Sequence, residues 1–196
     1  MISPTLPSQV TRAGLFVGWM SFGALFFIRR RPGGRGTTAK RSSAGLVGLA
    51  IQGFGFACAW LGRPYPGSFG ARPSPADLVL TVAVLGLMAW AVSFALAAVR
   101  TLGKQWALDA RVLEKHALVT EGPYARVRHP IYTAMGAMLV ATGLAMSPWW
   151  ALAAGILTYG AGTVVRTRAE EALLLDAFGA EYEAYRARVP ALLPWR

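Results

Sequence analysis

Residues 76–99 read ADLVLTVAVLGLMAWAVSFALAAV. Asp77 stands at the start, Arg100 follows the end, and no charge lies between Leu78 and Val99. A run of this length and character spans a bilayer as a helix, the form in which every backbone polar group is satisfied internally. The rest of the chain agrees. Of its 196 residues 55% are hydrophobic and 15% are charged, and mean hydropathy is +0.42. A soluble domain usually carries about 25% charged residues. This chain has too few to cover a water-facing surface and too much apolar surface for one small core. Disorder is excluded, because it needs low hydrophobicity. Cys58 is the only cysteine, which excludes a disulfide scaffold and paired-cysteine metal sites.

Working outward, four more apolar runs follow the same pattern. Upstream lie Ala13–Ile28, extending back toward Val10, and the Gly- and Ala-rich run Ala44–Leu61. The first ends in Arg29-Arg30-Arg31 rather than a small-residue cleavage site, so it reads as a retained span and not a secretory signal. Downstream lie Ile131–Met146 and Trp149–Val165, joined by Ser147-Pro148. Ser-Pro between two apolar arms is a turn signal and predicts a helical hairpin. The tail, residues 166–196, reads as an amphipathic helix broken at Pro190. The net charge of +11 would point to nucleic acid on a soluble protein. Here Lys and Arg are grouped between the apolar runs, so nucleic acid is not expected as a partner. The grouping follows the positive-inside rule. It predicts five spans with the N-terminus outside, and with residues 29–41, residues 100–130 and the tail in the cytoplasm. The expected fold class is an all-α integral membrane protein. It forms one domain over 1–196, with three N-terminal spans in 1–99 and the hairpin 131–165 within a region 100–196.

Chemistry-bearing side chains collect in two places, Leu102–Tyr132 and Arg166–Tyr185, which this topology brings to one membrane face. In the first, Gly122-Pro123 makes a turn and Pro130 can open a helix. The free backbone donors of that helix start favour an anionic group. Tyr124 and Tyr132 can stack on a base or approach a cation. The plainer reading stays open: Arg126 and Arg128 as lipid-phosphate anchors, the tyrosines as an interfacial belt, His129 as a turn residue. Neither His116 nor His129 has a second His or a Cys at ligand spacing, so no metal is expected. In the second cluster Arg166 and Glu170 stand i, i+4 just past an apolar run. They serve either as functional charges at membrane depth or as a helix-end salt bridge. Phe178, Tyr182 and Tyr185 share a face that can cover the site. Cys58 reads as a small buried hydrophobe, and the glycines of the second span as packing residues.

The stretch Leu118-Val119-Thr120-Glu121-Gly122-Pro123-Tyr124, then Arg128-His129-Pro130-Ile131-Tyr132, Glu170-Glu171 and Phe178-Gly179-Ala180-Glu181-Tyr182 resembles the isoprenylcysteine carboxyl methyltransferase family. That family lies in a wider group that includes phospholipid N-methyltransferases. The resemblance covers Gly103–Trp195, about half the chain, in the family's order and at compatible spacing. It implies S-adenosylmethionine as cofactor, with no Rossmann domain, and no GxGxxG after a strand is found. It implies a cofactor pocket formed by the cytoplasmic loop and the C-terminal helix, lined by His116, Ala117, Leu118, Val119, Tyr124, His129, Pro130, Ile131 and Tyr132. Glu170 is implied as a further cofactor contact with Glu171 second, and Arg166 as the group holding a substrate carboxylate with Arg168 as competitor. Arg166 and Glu170 are thus the expected catalytic pair. A further polar cofactor contact falls on Asp109 or Gln105, and the sequence leaves both open.

A carboxylate acceptor is already ionised and needs orientation rather than a general base. An amine such as that of phosphatidylethanolamine needs a base, for which His129, Glu170 or Glu171 would serve. The expected reaction is methylation of the carboxylate of a lipophilic or lipidated acceptor drawn from the membrane lipid. Phospholipid N-methylation is the alternative. A transporter or assembly subunit is the distant one, disfavoured because residues 78–99 and 131–165 carry no charge. The Arg-, Ala- and Gly-rich composition points to a bacterial inner membrane with the site facing the cytoplasm, where the native acceptor is an isoprenoid or lipid-like acid.

Overall fold

The structure is a computed structural model that describes residues 6–28, 43–62, 74–103 and 118–194. Every element among them is helical: α1 Leu6–Ile28, α2 Ser43–Ala59, α3 Pro75–Leu102, a 3-10 turn Gly122–Ala125, α4 Pro130–Met146, α5 Trp149–Phe178 and α6 Ala180–Arg188. Among the described helices α3 alone is both long and apolar enough by itself to cross a bilayer. The apolar helices α2 and α4 are shorter, at 17 residues each.

The turn at Ser147-Pro148 joins α4 to α5 as the sequence predicts. The Ser147 hydroxyl docks it on the end of α2 by donating to the Ala59 carbonyl at 2.6 Å. The tail departs from expectation. No separate amphipathic helix starts at Arg166, because α5 runs unbroken from Trp149 to Phe178. Residues 166–178 contain no Gly or Pro and are rich in Ala, Leu, Glu and Arg, so the helix propagates. The first break comes at Gly179, whose φ of +50° closes α5 and opens α6, well before Pro190.

The hairpin arms find different partners. α4 leans mainly on α3, and α5 mainly on α2. The α3–α4 side also holds α1 and builds the larger core, with Leu15, Phe22, Val84, Met88, Ala134 and Met138 at its centre. The α1–α3 pair is parallel: the Thr11 and Thr81 hydroxyls, each near its helix start, are 2.9 Å apart. Trp19 ties α1 to α4 by donating to Thr142 at 3.1 Å.

The α2–α5 contact is antiparallel and rests on glycine. A Cβ on Gly162 would come within 2.7 Å of the Gly48 carbonyl oxygen and of the Gln52 nitrogen. A Cβ on Gly55 would come within 2.9 Å of the Gly155 carbonyl oxygen. Backbones meet here without side chains between them, the packing expected of the second span's glycines. Outward, the helices present large apolar side chains: Phe16 is 68% exposed, Val79 69% and Leu157 73%. A water-facing surface rarely carries so continuous an apolar face.

Gly162→Val forces the α2–α5 backbones apart and lowers stability by about 1–3 kcal/mol. Gly86→Ala, where a Cβ meets nothing within 4 Å, leaves stability unchanged or slightly raised. Thermal unfolding of the two variants in the same detergent checks this contrast, and equal midpoints would refute the close-packing account.

Candidate active site

The site is built where the start of α2, the end of α3, the start of α4 and the middle of α5 meet. Its floor comes from residues 121–133. Gly122, at φ +57°, reverses the chain beside α3, where a Cβ would stand 2.9 Å from the Thr101 hydroxyl oxygen. The 3-10 turn follows, with the Tyr124 N–H on the Glu121 carbonyl at 3.0 Å. Residues 128 and 129 then pass beside the C-terminal stretch. Their N–H groups donate to the Pro190 and Ala191 carbonyls at 2.9 and 3.0 Å. Pro130 opens α4, with His129 as its N-cap, and the Thr133 hydroxyl donates to the Leu192 carbonyl at 2.6 Å.

Onto this floor α5 lowers two carboxylates, close to the positive end of α4, where the sequence predicts that an anionic group is favoured. Glu171 accepts from Arg128 Nη2 at 2.7 Å and from Arg128 Nε at 3.0 Å. His129 Nε2 lies 3.1 Å from the same oxygen of Glu171, and His129 Nδ1 lies 3.5 Å from Glu170 Oε2. The imidazole is therefore clamped between two acids. Glu170 also accepts from the Tyr132 hydroxyl, and Arg166 Nη2 stands 3.9 Å from Glu170 Oε1. The Arg166 guanidinium lies over the Tyr132 ring at 4.9 Å. Arg166 Nη1 donates to the Gln52 side-chain carbonyl of α2 at 3.1 Å. Arg166 Nε is buried and finds no hydrogen-bond partner among the described residues.

Charge follows from this geometry. Burial alone would push the His129 pKa down, but hydrogen bonds and charge from Glu170 and Glu171 outweigh it and hold it above the ordinary 6.5. Burial would push Glu171 up, yet its bonds to His129 and Arg128 prevail and hold it at about 2. Burial, reinforced by the charges of Tyr185 and Glu170, keeps the Tyr124 phenol far above its usual range.

Of the residues expected to form the site, the structure gathers His129, Pro130, Tyr132, Arg166, Glu170 and Glu171 into one cluster. Tyr124 lies buried beneath, its carbonyl accepting from the Tyr185 hydroxyl at 2.7 Å. Leu118, Val119 and Ile131 are half-buried. His116, Ala117, Gln105 and Asp109 lie outside the described residues. Of the two candidate arginines, Arg166 is turned inward and Arg168 is exposed. The plainer readings separate here. Arg126 is exposed, as an anchor would be, but Arg128 is engaged with Glu171 and with the Arg186 and Val189 carbonyls. Tyr124 and Tyr132 are each 8% exposed, so neither is a belt residue. Sequence reasoning missed Gln52, Thr163 and the Pro190–Leu192 stretch. Gln52 had a signal, as the single amide side chain in the run 44–61. The C-terminal stretch had none, because its contribution is backbone carbonyls.

The charged centre of this site falls within a recognisable segment. The model of the isoprenylcysteine carboxyl methyltransferase (ICMT) family matches residues 83–176, from mid-α3 through both carboxylates, so that part of the chain carries the family's pattern. Three curated relatives are similar. The protein-S-isoprenylcysteine O-methyltransferase of Schizosaccharomyces pombe is 35% identical over 79 residues, 40% of this chain and 34% of the relative. Methanethiol S-methyltransferase 1 of Bradyrhizobium diazoefficiens is 29% identical over 152 residues, 70% of this chain and 49% of the relative. The cobalt-zinc-cadmium resistance protein CzcN of Cupriavidus metallidurans is 36% identical over 123 residues, 60% of this chain and 50% of the relative. Each alignment thus spans between a third and a half of the relative's length. Among the described residues no three or more His, Cys, Asp or Glu side chains are grouped to hold a metal ion.

The Arg128–Glu171–His129 network makes stability depend on pH in two directions. His129, with a raised pKa, contributes fully below its ordinary 6.5 and loses its contribution as pH climbs through the raised value. Glu171, with a lowered pKa, contributes fully above its ordinary 4.5 and loses it as pH falls toward about 2. The network therefore stabilises most between those ordinary values. An NMR titration of labelled imidazole places His129 above 6.5 in the wild type and lower in Glu171→Gln. A wild-type midpoint at or below the ordinary value would sink the clamp.

Proposed function

We propose that the chain is a multi-pass membrane methyltransferase that uses S-adenosylmethionine and esterifies the carboxylate of a lipophilic acceptor. The observation that carries this reading is the buried Arg166 Nε, which finds no hydrogen-bond partner among the described residues. A buried donor left unsatisfied is costly and marks a place where a ligand oxygen fits. Arg166 holds it beside Glu170 and above Tyr132, where an acceptor carboxylate would be oriented.

The residues suit the cofactor. Glu170 offers an acceptor for its ammonium group. Tyr132 and His129, stacked at 5.8 Å with planes 24° apart, offer aromatic surface beside it. The cofactor supplies an activated methyl group when bound. The chain's own task is then to align donor and acceptor and to exclude water. Strapped to residues 128–133 by backbone hydrogen bonds, the C-terminal stretch covers that side. The acid–base groups favour a carboxylate over an amine. Glu170 and Glu171 favour the protonated form of His129, and Glu171 is a weak base, so neither His129 nor Glu171 is well suited to take a proton from an ammonium. A thiol acceptor is the second reading, favoured by the 70% of this chain that aligns with the methanethiol enzyme.

In a bilayer α3 crosses; α1, α2, α4 and α5 form four further spans beside it, and the exposed apolar side chains face lipid. The site lies at the end rich in Arg, which the positive-inside rule assigns to the cytoplasm of a bacterial inner membrane.

Calorimetry in detergent, followed by transfer of a labelled methyl group, tests the reading. Glu170→Ala weakens S-adenosylmethionine binding by about 1.5–3 kcal/mol, the range for a charge-assisted hydrogen bond. Arg166→Ala binds the cofactor normally and loses turnover. The acceptors to compare are an S-isoprenylated N-acetylcysteine, phosphatidylethanolamine vesicles and methanethiol. Methylation of the first alone supports the carboxylate, while methylation of another replaces it. A folded wild type that binds no cofactor would reject the site.

A further inference from the structure

Helix α2 lies outside the segment that matches the family, yet it reaches the charged centre. It does so with two residues one turn apart, Gly48 and Gln52. The Arg166 side chain crosses Gly48 so closely that a Cβ there would meet Arg166 Cγ at 2.5 Å. Gln52, 1% exposed, accepts from Arg166 Nη1 at 3.1 Å and donates from its Nε2 to the Thr163 hydroxyl oxygen at 2.8 Å.

The direction of the Gln52 amide is dictated by what lies behind it. The Thr163 hydroxyl donates its one proton to the Tyr159 carbonyl at 2.8 Å. Toward Gln52 it can only accept. The amide nitrogen must therefore face Thr163, and the carbonyl must face Arg166. A polar side chain in an apolar helix often serves only as interhelical glue. Glue would need neither a fixed amide direction nor a charged partner inside the candidate site.

We propose that Gln52 is a positioning residue for Arg166. Its neutral carbonyl holds the guanidinium in place over Tyr132 without adding a second carboxylate to Glu170, which stands 3.9 Å away. A glutamate at the same place would hold the cation as firmly and leave it outweighed by two acids. This inference rests on the reading of Arg166 as the group that meets an acceptor carboxylate.

The test uses the full chain in detergent, with an S-isoprenylated N-acetylcysteine as acceptor. Gln52→Leu raises the acceptor KM by about tenfold or more, the scale of a lost hydrogen bond to a charged group. Its S-adenosylmethionine affinity stays within about twofold of wild type, as expected for a mutation that spares the cofactor contacts. Gln52→Glu raises KM at least as far. Thr163→Val moves KM in the same direction, and Thr163→Ser restores most of that loss. A second readout is independent of activity. In protein labelled with [15N]arginine, the Arg166 Nη groups, identified by their disappearance in Arg166→Lys, give separate signals while Gln52 pins them. In Gln52→Leu these signals merge. Unchanged signals in Gln52→Leu would overturn the proposal. So would KM left at its wild-type value while kcat, cofactor affinity and thermal midpoint fall together, the pattern of glue. A wild type that binds S-adenosylmethionine but methylates no carboxylate removes the acceptor reading alone. The Arg166 signals then decide the role of Gln52 by themselves.

Discussion

The close backbone approach of α2 and α5 is the constraint on which the site depends. Gly48 faces Gly162 and Gly55 faces Gly155, one pair two helical turns from the other on each helix. Because no Cβ intervenes, side chains that flank the seam reach across it with short bonds. That is how an amide on α2 comes within 3.1 Å of a guanidinium on α5. The same seam draws α5 away from α4, its hairpin neighbour, and leaves α4 to pack on α3. The His129–Glu170 cluster then joins the start of α4 to α5 just past their apolar stretches.

Electrostatics finish what packing begins. Four ionisable side chains, Arg128, His129, Glu170 and Glu171, would each be costly at this depth alone. Together they are mutually satisfied: Arg128 and His129 share one oxygen of Glu171, and Glu170 takes the other side of the imidazole. The network also ties three chain segments, since Arg128 reaches the Arg186 carbonyl while its backbone N–H holds Pro190. Arg166 stands slightly apart, and its Nε finds no partner among the described residues.

Much of this was legible in the sequence. Apolar runs and their basic flanks mark the helices, because a helix in lipid announces itself by length and composition. Ser147-Pro148 marks the hairpin turn, and Arg166 with Glu170 declares its contact through i, i+4 spacing. Two kinds of feature were not legible. The end of α5 was misjudged because a change from apolar to polar composition does not interrupt a helix. Only a breaker does, and the first is Gly179. The distinction between Arg126 and Arg128 was likewise hidden. Two arginines two residues apart look alike until the turning backbone aims one at Glu171 and leaves the other in solvent.

By itself, then, the sequence determined the helical class, the order of the apolar helices and His129, Arg166, Glu170 and Glu171 as residues that cluster. These are local properties, set by hydropathy, turn chemistry and spacing along one helix. The tertiary structure alone decided which partner each charge found: Glu171 with Arg128 and His129, Arg166 with Gln52. Such pairings join residues more than 40 positions apart along the chain. No periodicity encodes them, because they follow from how closely two helix backbones can approach.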